Sequence, residues 1–247
     1  MIEINNLGYV YPCGREALKN ININIKKGES VALVGANGAG KSTMLSILVG
    51  IFENKSGTVK IDEVLLSKKN LVEIRKKVGM VFQNPDDQLF MPRVYDDIAF
   101  GLKNLNFTEI EVKQRVEEIM YTFDITHLKD RMSHKLSGGE KRTCAIAAVL
   151  AMNPDVLALD EPSCFLDPKA RRQMIKTLAS ISLTKIVATH DLDMVLELCD
   201  RVIVLKDGEV YADGKPDEIL MDEKILEECS LELPLGFQRC RNCKNKI

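Results

Sequence analysis

The sequence predicts an α/β fold: a mostly parallel sheet with flanking helices, antiparallel strands beside it and an inserted helical subdomain. Three observations carry that expectation. The short apolar runs Val31-Ala32-Leu33-Val34, Val156 to Leu159 and Lys185 to Ala188 read as strands buried on both faces. Helical stretches such as Pro168 to Ile181 join these runs, the alternation expected of parallel strands with crossover helices. Between about Asp86 and Met152 the strand patterns vanish and helical ones take over.

Taken in order, Ile21-Asn22-Ile23-Asn24-Ile25 alternates with period two and predicts a half-buried antiparallel strand. Lys26-Lys27-Gly28-Glu29 turns the chain into the strand that ends near Val34. Directly after it comes Gly35-Ala36-Asn37-Gly38-Ala39-Gly40-Lys41-Ser42, which fits G-x-x-x-x-G-K-[ST] between a strand and a helix beginning at Lys41. Glycines let such a backbone curl so that its amides face a phosphate, and the helix N-terminus adds partial positive charge. Lys41 then reaches the terminal phosphates and Ser42 ligates Mg²⁺, so the segment predicts binding of a nucleoside triphosphate.

Short strands are expected at Thr58 to Ile61 and Val78 to Phe82. Thr108-x-x-Glu111 is a capping box ahead of a helical face of Val112, Val116, Ile119, Met120 and Phe123. Leu136-Ser137-Gly138-Gly139-Glu140 opens a helix running to about Met152. Its paired glycines at a positive helix end form a second anion site, and Ser137-x-x-Glu140 is also a capping box. The strand Val156 to Leu159 ends in Asp160-Glu161, and Lys185 to Ala188 ends in Thr189-His190. The C-terminal edge of strands is where ligands sit in such sheets. Asp160 there suits the Mg²⁺ shell, Glu161 an attacking water, and His190 the γ-phosphate or that water. His127 and His134 read as surface residues. Arg201 to Leu205, Asp207-Gly208 and Glu209 to Tyr211 predict a hairpin.

Bulk composition narrows the possibilities. The 247 residues are 45% hydrophobic and 28% charged, ordinary for a globular protein with ample core. A net charge of −2 lacks the basic excess of a nucleic-acid binder. The longest apolar run, Cys144 to Met152, falls far short of the roughly 20 residues that cross a bilayer. The start, Met1-Ile2-Glu3-Ile4-Asn5, lacks the pattern of a signal peptide. Seven scattered cysteines read as reduced thiols of a cytosolic protein. Any membrane role is therefore expected to be peripheral, through a partner.

Over nearly its whole length the chain resembles the nucleotide-binding subunit of ATP-binding-cassette transporters, carrying the phosphate loop, Leu136-Ser137-Gly138-Gly139, Asp160-Glu161 and His190 in that order. The resemblance implies a RecA-like P-loop NTPase, with residues 1–85 and 153–224 as nucleotide-binding core, 86–152 as helical signature subdomain and 225–247 as a small tail. ATP and Mg²⁺ are the implied cofactors. The ATP contacts would be Tyr11, stacking on adenine, the loop Gly35 to Ser42, Thr43 and Gln83. Ser42, Gln83 and Asp160 would serve Mg²⁺, and Glu161, His190 and Lys41 catalysis. The signature Leu136 to Glu140 would complete the ATP site of a second subunit, and Leu166-Asp167 would touch that subunit.

A narrower resemblance lies in Gln83-Asn84-Pro85-Asp86-Asp87-Gln88-Leu89-Phe90 and Val94-Tyr95-Asp96-Asp97-Ile98-Ala99-Phe100-Gly101, which look like the ATPase of energy-coupling-factor importers of vitamins or nickel and cobalt ions. Chain length and Leu231-Glu232-Leu233-Pro234-Leu235 look more like the nickel/cobalt branch. The implied partners are a second ATPase subunit (identical or a sister chain), a transmembrane coupling subunit and a substrate-binding membrane subunit, at the cytoplasmic face of the membrane, and no nucleic acid.

The chain departs from the family pattern at Glu140, where glutamine is usual, at Cys164-Phe165, where a small residue and glycine are common, and at Thr143-Cys144. Every residue expected to touch Mg²⁺, water or phosphate is present, so activity should be retained. Cys240-Arg241-Asn242-Cys243 is a lone C-x-x-C that reads as two free thiols or as part of a shared metal site. The rival class, a soluble cassette acting on DNA or the ribosome, would carry a long coiled coil or a second cassette. The sequence has neither.

Overall fold

The computed structural model describes residues 2–238 and contains two sheets. β1 (Ile2–Val10), β2 (Glu16–Ile25), β4 (Ser56–Ile61) and β5 (Val64–Leu65) form an antiparallel sheet in the order β2-β1-β4-β5. β3 (Ser30–Val34), β6 (Val78–Val81), β7 (Val156–Asp160), β8 (Thr184–Ala188), β9 (Arg201–Lys206) and β10 (Glu209–Gly214) form the other. Its order is β10-β9-β3-β8-β7-β6, parallel except for β10, which returns antiparallel along β9. Asp207 and Gly208 take the positive φ values of 50° and 83° that the predicted hairpin turn requires.

The helices are α1 (Lys41–Leu48), α2 (Leu71–Lys77), α3 (Val94–Asn104), α4 (Glu109–Thr122), α5 (Gly138–Ala151), α6 (Pro168–Ser180), α7 (Leu192–Leu198), α8 (Pro216–Leu220) and α9 (Glu223–Glu228). Among the described residues no strand lies between β6 and β7, where α3, α4 and α5 pack on one another. The expected α4 capping box is present, and Val112, Val116 and Met120 are buried behind it.

β1 goes beyond what the patterning predicts. Ile2, Ile4 and Leu7 are buried, but Asn6 takes a φ of 50° and the pairing with β2 slips between Ile4 and Leu7. That irregularity breaks the period-two signal a strand is read from.

The six-stranded sheet separates two hydrophobic cores, and successive residues of its strands feed opposite sides. Val31 and Leu33 face the antiparallel sheet and α1, with Met44, Leu45 and Ile47. Ala32 and Val34 join the core formed with α3 to α7, including Ile98, Val116, Ile146 and Val195. Burial on both faces is why these strands read as unbroken apolar runs. The stretch expected as a tail begins inside α9, where Leu226, with Cys229 just beyond, is buried in the second core. Cys240 and Cys243 lie outside the described residues, and the described cysteines Cys13, Cys144, Cys164, Cys199 and Cys229 are all free.

Candidate functional site

The sheet sets β3, β7 and β8 side by side, so the segments that leave their C-terminal ends meet at one edge. From β3 the chain passes into the loop Gly35 to Gly40 and then α1. Gly35 has a φ of 152°, and a Cβ there would lie 2.3 Å from the Leu205 carbonyl oxygen. Gly40, at a φ of 110°, is the N-cap of α1, with the Ala17 carbonyl oxygen 2.7 Å from where its Cβ would be. Both positions exclude any side chain. No side chain caps α1, so its first amides are not consumed that way.

Lys41 is buried, and its Nζ donates to the carbonyl oxygens of Gly35 (2.6 Å) and Ala36 (3.2 Å). Burial lowers its pKa, while the nearby Glu161 and Asp160 carboxylates oppose that fall. Ser42 Oγ donates to Asp160 Oδ1 at 3.0 Å, which joins the helix start to the end of β7. Burial raises the pKa of Asp160; the Ser42 bond works against it and neighbouring Glu161 reinforces it.

Glu161 sits at a φ of 45°, a strained region for a residue with a side chain, held there as its N–H donates a hydrogen bond to the Ala188 carbonyl (2.8 Å). Its Oε2 lies 3.2 Å from Thr189 Oγ1, 3.3 Å from the His190 amide nitrogen and 2.8 Å from His190 Nδ1. The His190 contact requires the proton on Nδ1. The carboxylate is buried and the imidazole is 60% exposed, so the pair spans the wall and mouth of the site.

An open pocket of about 250 Å³ collects Tyr11, Arg15, Asn37, Lys41, Gln83 and Glu161, with Ser42 and Thr43 also in its lining. Tyr11 shares a 2.7 Å hydroxyl hydrogen bond with Thr43 Oγ1, and its ring meets Tyr9 edge-on at 5.0 Å. The structure thus brings Tyr11, Gly38, Gly40, Lys41, Ser42, Thr43, Gln83 and Glu161 to one cavity, with Asp160 and His190 bonded to its lining.

The signature stands elsewhere. Ser137 and Glu140 form the predicted capping box: the Ser137 amide donates to Glu140 Oε2 (2.8 Å) and the Glu140 amide to Ser137 Oγ (3.3 Å). The Glu140 carboxylate is bonded by the Ser137 backbone and, next in weight, by the Ser137 side chain, and both pull its pKa down. Leu136 is buried and anchors the turn. Ser137, Gly139, Glu140, Leu166 and Asp167 line a different cavity from the phosphate loop, and the two linings share no residue. Asp167 caps α6 through the amides of Lys169 (2.9 Å) and Ala170 (3.0 Å). Phe165, where glycine is common, takes a φ of 62° and is 85% exposed.

Three structural participants escaped the sequence reading. Arg142, buried in α5, donates through its two terminal nitrogens to the carbonyls of Phe82 and Gln83, 2.7 Å each, and so ties the signature helix to the Gln83 segment. Its signal was a cation heading an apolar helix face of Ala145, Ile146 and Val149. Thr189 looked like a spacer between strand and histidine. Arg15, which donates to the Gly38 carbonyl at 3.1 Å, lies in a turn with no pattern to mark it.

The donors around Ser42 suit Mg²⁺. The Ser42 hydroxyl, the Asp160 carboxylate and the Gln83 amide offer hard oxygen ligands. The Asp160 and Glu161 carboxylates are both buried there.

Comparison with known proteins finds the family model described as ABC transporter over residues 18–164. The chain is 44% identical to the energy-coupling factor transporter ATP-binding protein EcfA of Carboxydothermus hydrogenoformans, over 100% of this chain and 92% of that one. Among solved structures it is similar to cbiO1 of Clostridium perfringens, described as part of the ABC transporter complex cbiONQ. The TM-score is 0.81 at 41% identity, covering 94% of this chain and 95% of that one. It is also similar to the dimeric ATP-binding cassette MJ0796 in a post-hydrolysis state bound to ADP and Pi. There the TM-score is 0.78 at 31% identity, covering 87% of this chain and 99% of that one.

Proposed function

This chain belongs to the ABC transporter ATP-binding family, and we propose that it is the ATPase of an energy-coupling-factor importer that takes up cobalt or nickel ions. The observation that carries the ATPase reading is the meeting of Lys41, Ser42 and Glu161 in one pocket, with Asp160 bonded to Ser42. Ser137, Gly139 and Glu140 line a different cavity, and in this reading a second chain brings its signature to the triphosphate. MJ0796, a dimer bound to ADP and Pi, supports the same arrangement.

In this reading the loop amides and the α1 N-terminus hold the phosphates, and Lys41 swings from the Gly35 and Ala36 carbonyls to the terminal one. Tyr11 leaves Thr43 to stack on adenine. When bound, Mg²⁺ held by Ser42, Asp160 and Gln83 neutralises charge on the phosphate oxygens. Glu161 orients the attacking water and accepts its proton, while His190 holds the carboxylate and reaches toward the γ-phosphate. Leu166 and Asp167 flank the signature, where the partner chain would meet them. Transfer to water asks mainly for this positioning and charge stabilisation.

The importer reading is supported by relatives named as energy-coupling-factor ATPases. Among the described residues no helix is long and apolar enough to cross a membrane. In this reading the chain works at the cytoplasmic face through a transmembrane coupling subunit, beside a substrate-binding membrane subunit. Exposed Phe90 and Phe100, edge-on at 5.0 Å and close after Gln83, offer an apolar surface for that contact. The nickel/cobalt branch rests on the likeness of Leu231 to Leu235 and on the similarity to cbiO1.

Glu161→Gln should lower hydrolysis by about 10²–10⁴-fold, the usual range for losing a general base. With saturating ATP and Mg²⁺ it should sediment as a nucleotide-filled dimer. A variant that stays monomeric with ATP bound overturns the composite site. Metal analysis of the affinity-purified membrane complex tests the cargo: retained cobalt or nickel supports the branch, and a retained vitamin moves the chain to the other.

A further inference from the structure

We infer that Glu161, Cys164 and His190 form an inhibitory site for a divalent ion of the zinc class, seated on the hydrolytic groups themselves. Among the described residues these three form the one group of histidine, cysteine and carboxylate side chains whose ligand atoms all lie within 4.8 Å of one another. The fold builds the cluster from two adjacent strand ends. Glu161 leaves β7 and His190 leaves β8, paired in register at Asp160 and Ala188. The Cys164 amide donates to the Glu161 carbonyl at 3.2 Å, a turn that folds the thiol back beside the carboxylate.

The donor set discriminates between ions. Ser42, Asp160 and Gln83 offer hard oxygen to Mg²⁺, whereas imidazole nitrogen, thiolate sulfur and carboxylate oxygen match zinc-class ions. Three protein ligands with an open fourth position is a common zinc arrangement. Bond lengths of about 2.0–2.3 Å separate tetrahedral ligands by roughly 3.3–3.8 Å. The present Glu161–His190 contact of 2.8 Å would therefore open by about 0.5 Å or more, a rotamer-scale adjustment. The half-exposed His190 provides the entry route.

On coordination the thiol sulfur donates a lone pair and its proton leaves to solvent. The imidazole binds through Nδ1 as its Nε2-protonated tautomer, and nothing is oxidised or reduced. Glu161 can then no longer orient water, while the phosphate loop stays open, so inhibition should not be relieved by more ATP. The inhibitory consequence rests on Glu161 serving hydrolysis; the binding itself does not.

The test uses the full chain carrying Cys240→Ser and Cys243→Ser, so that tail thiols contribute nothing, with and without Cys164→Ser. Without nucleotide, Co²⁺ should give a thiolate-to-cobalt charge-transfer band that Cys164→Ser abolishes. At saturating ATP and Mg²⁺, Cys164→Ser should keep the metal-free rate and need at least about 10-fold more Zn²⁺ for half-inhibition. A band that survives Cys164→Ser, no band in the parent, or an unmoved half-inhibition overturns the site. A parent chain that hydrolyses no ATP even without zinc counts against the function proposed above, and the cobalt band still decides the site.

Discussion

Two helices of this molecule have a glycine at their N-terminal boundary, and their ends are finished in opposite ways. α1 starts after Gly40 with no side-chain cap, and its first residue carries the buried ammonium of Lys41. α5 starts at Gly138 with a complete capping box, and its first turn carries the carboxylate of Glu140. The first end is left open and positive, so an anion can satisfy it without displacing anything from the helix. The second satisfies the amides of Ser137 and Glu140 internally, and its box does not use those of Gly138 and Gly139. An open end can bind alone. A self-capped end carrying a carboxylate contributes only when a bound phosphate is brought to it, which is what a site split between chains requires.

Removing the charge at the open end should produce the largest effect. Lys41→Ala deletes the ammonium that faces Asp160 and Glu161 and would neutralise the terminal phosphate. Loss of one such stabilising donor typically lowers the rate by about 10²–10³-fold. A steady-state ATPase assay at saturating nucleotide checks it. A rate within a fewfold of the parent would mean that α1 and its loop carry the charge stabilisation by themselves, and the contrast between the two helix ends would lose its electrostatic half.

The same contrast explains which parts were legible in the sequence. The open end announces itself, because a backbone that must curl around phosphate admits only glycine at positions such as Gly35 and Gly40. Capping boxes are legible for a similar reason: Thr108/Glu111 and Ser137/Glu140 depend on side chains three residues apart. The sheet core was legible because double-sided burial leaves unbroken apolar runs. What escaped depends on contacts distant in sequence. Arg142 reaches Phe82 and Gln83 across about 60 residues, and Thr189 matters only because β8 lies beside β7. β1 was hidden by its own irregular pairing. That Tyr11 rests on Thr43 and Lys41 on the loop carbonyls cannot be read from spacing at all, since each is a choice between alternative partners.

The closed end should respond in stability before it responds in rate. Ser137→Ala removes the acceptor for the Glu140 amide, a loss of typically about 1 kcal/mol. For a chain of this size that corresponds to a drop in Tm of about 2–4 °C. Thermal melts of the nucleotide-free protein check it, with Ser137→Thr expected to recover most of the loss. An unchanged Tm for Ser137→Ala would mean that water satisfies the α5 N-terminus as well as the serine does, and the end would be open after all.

The smallest effect concerns the carboxylate itself. Glu140 has its pKa depressed, first by the Ser137 amide bond, so its ionised form is favoured in the folded state. The sign follows from linkage: its contribution is fully present above the ordinary glutamate value of about 4.3 and fades as pH falls through the depressed folded value. Glu140→Gln keeps an acceptor for the Ser137 amide but cannot be protonated, so its Tm should fall less steeply than the parent's below about pH 4. At neutral pH its ATPase rate should change by less than about fivefold, since a part-exposed charge is worth little in water. Parallel acid limbs for the two proteins would show that Glu140 is not held by its cap. A rate many times that of the parent would show that this carboxylate does reach the phosphates, and the departure from glutamine would then be a brake on hydrolysis rather than a tolerated substitution.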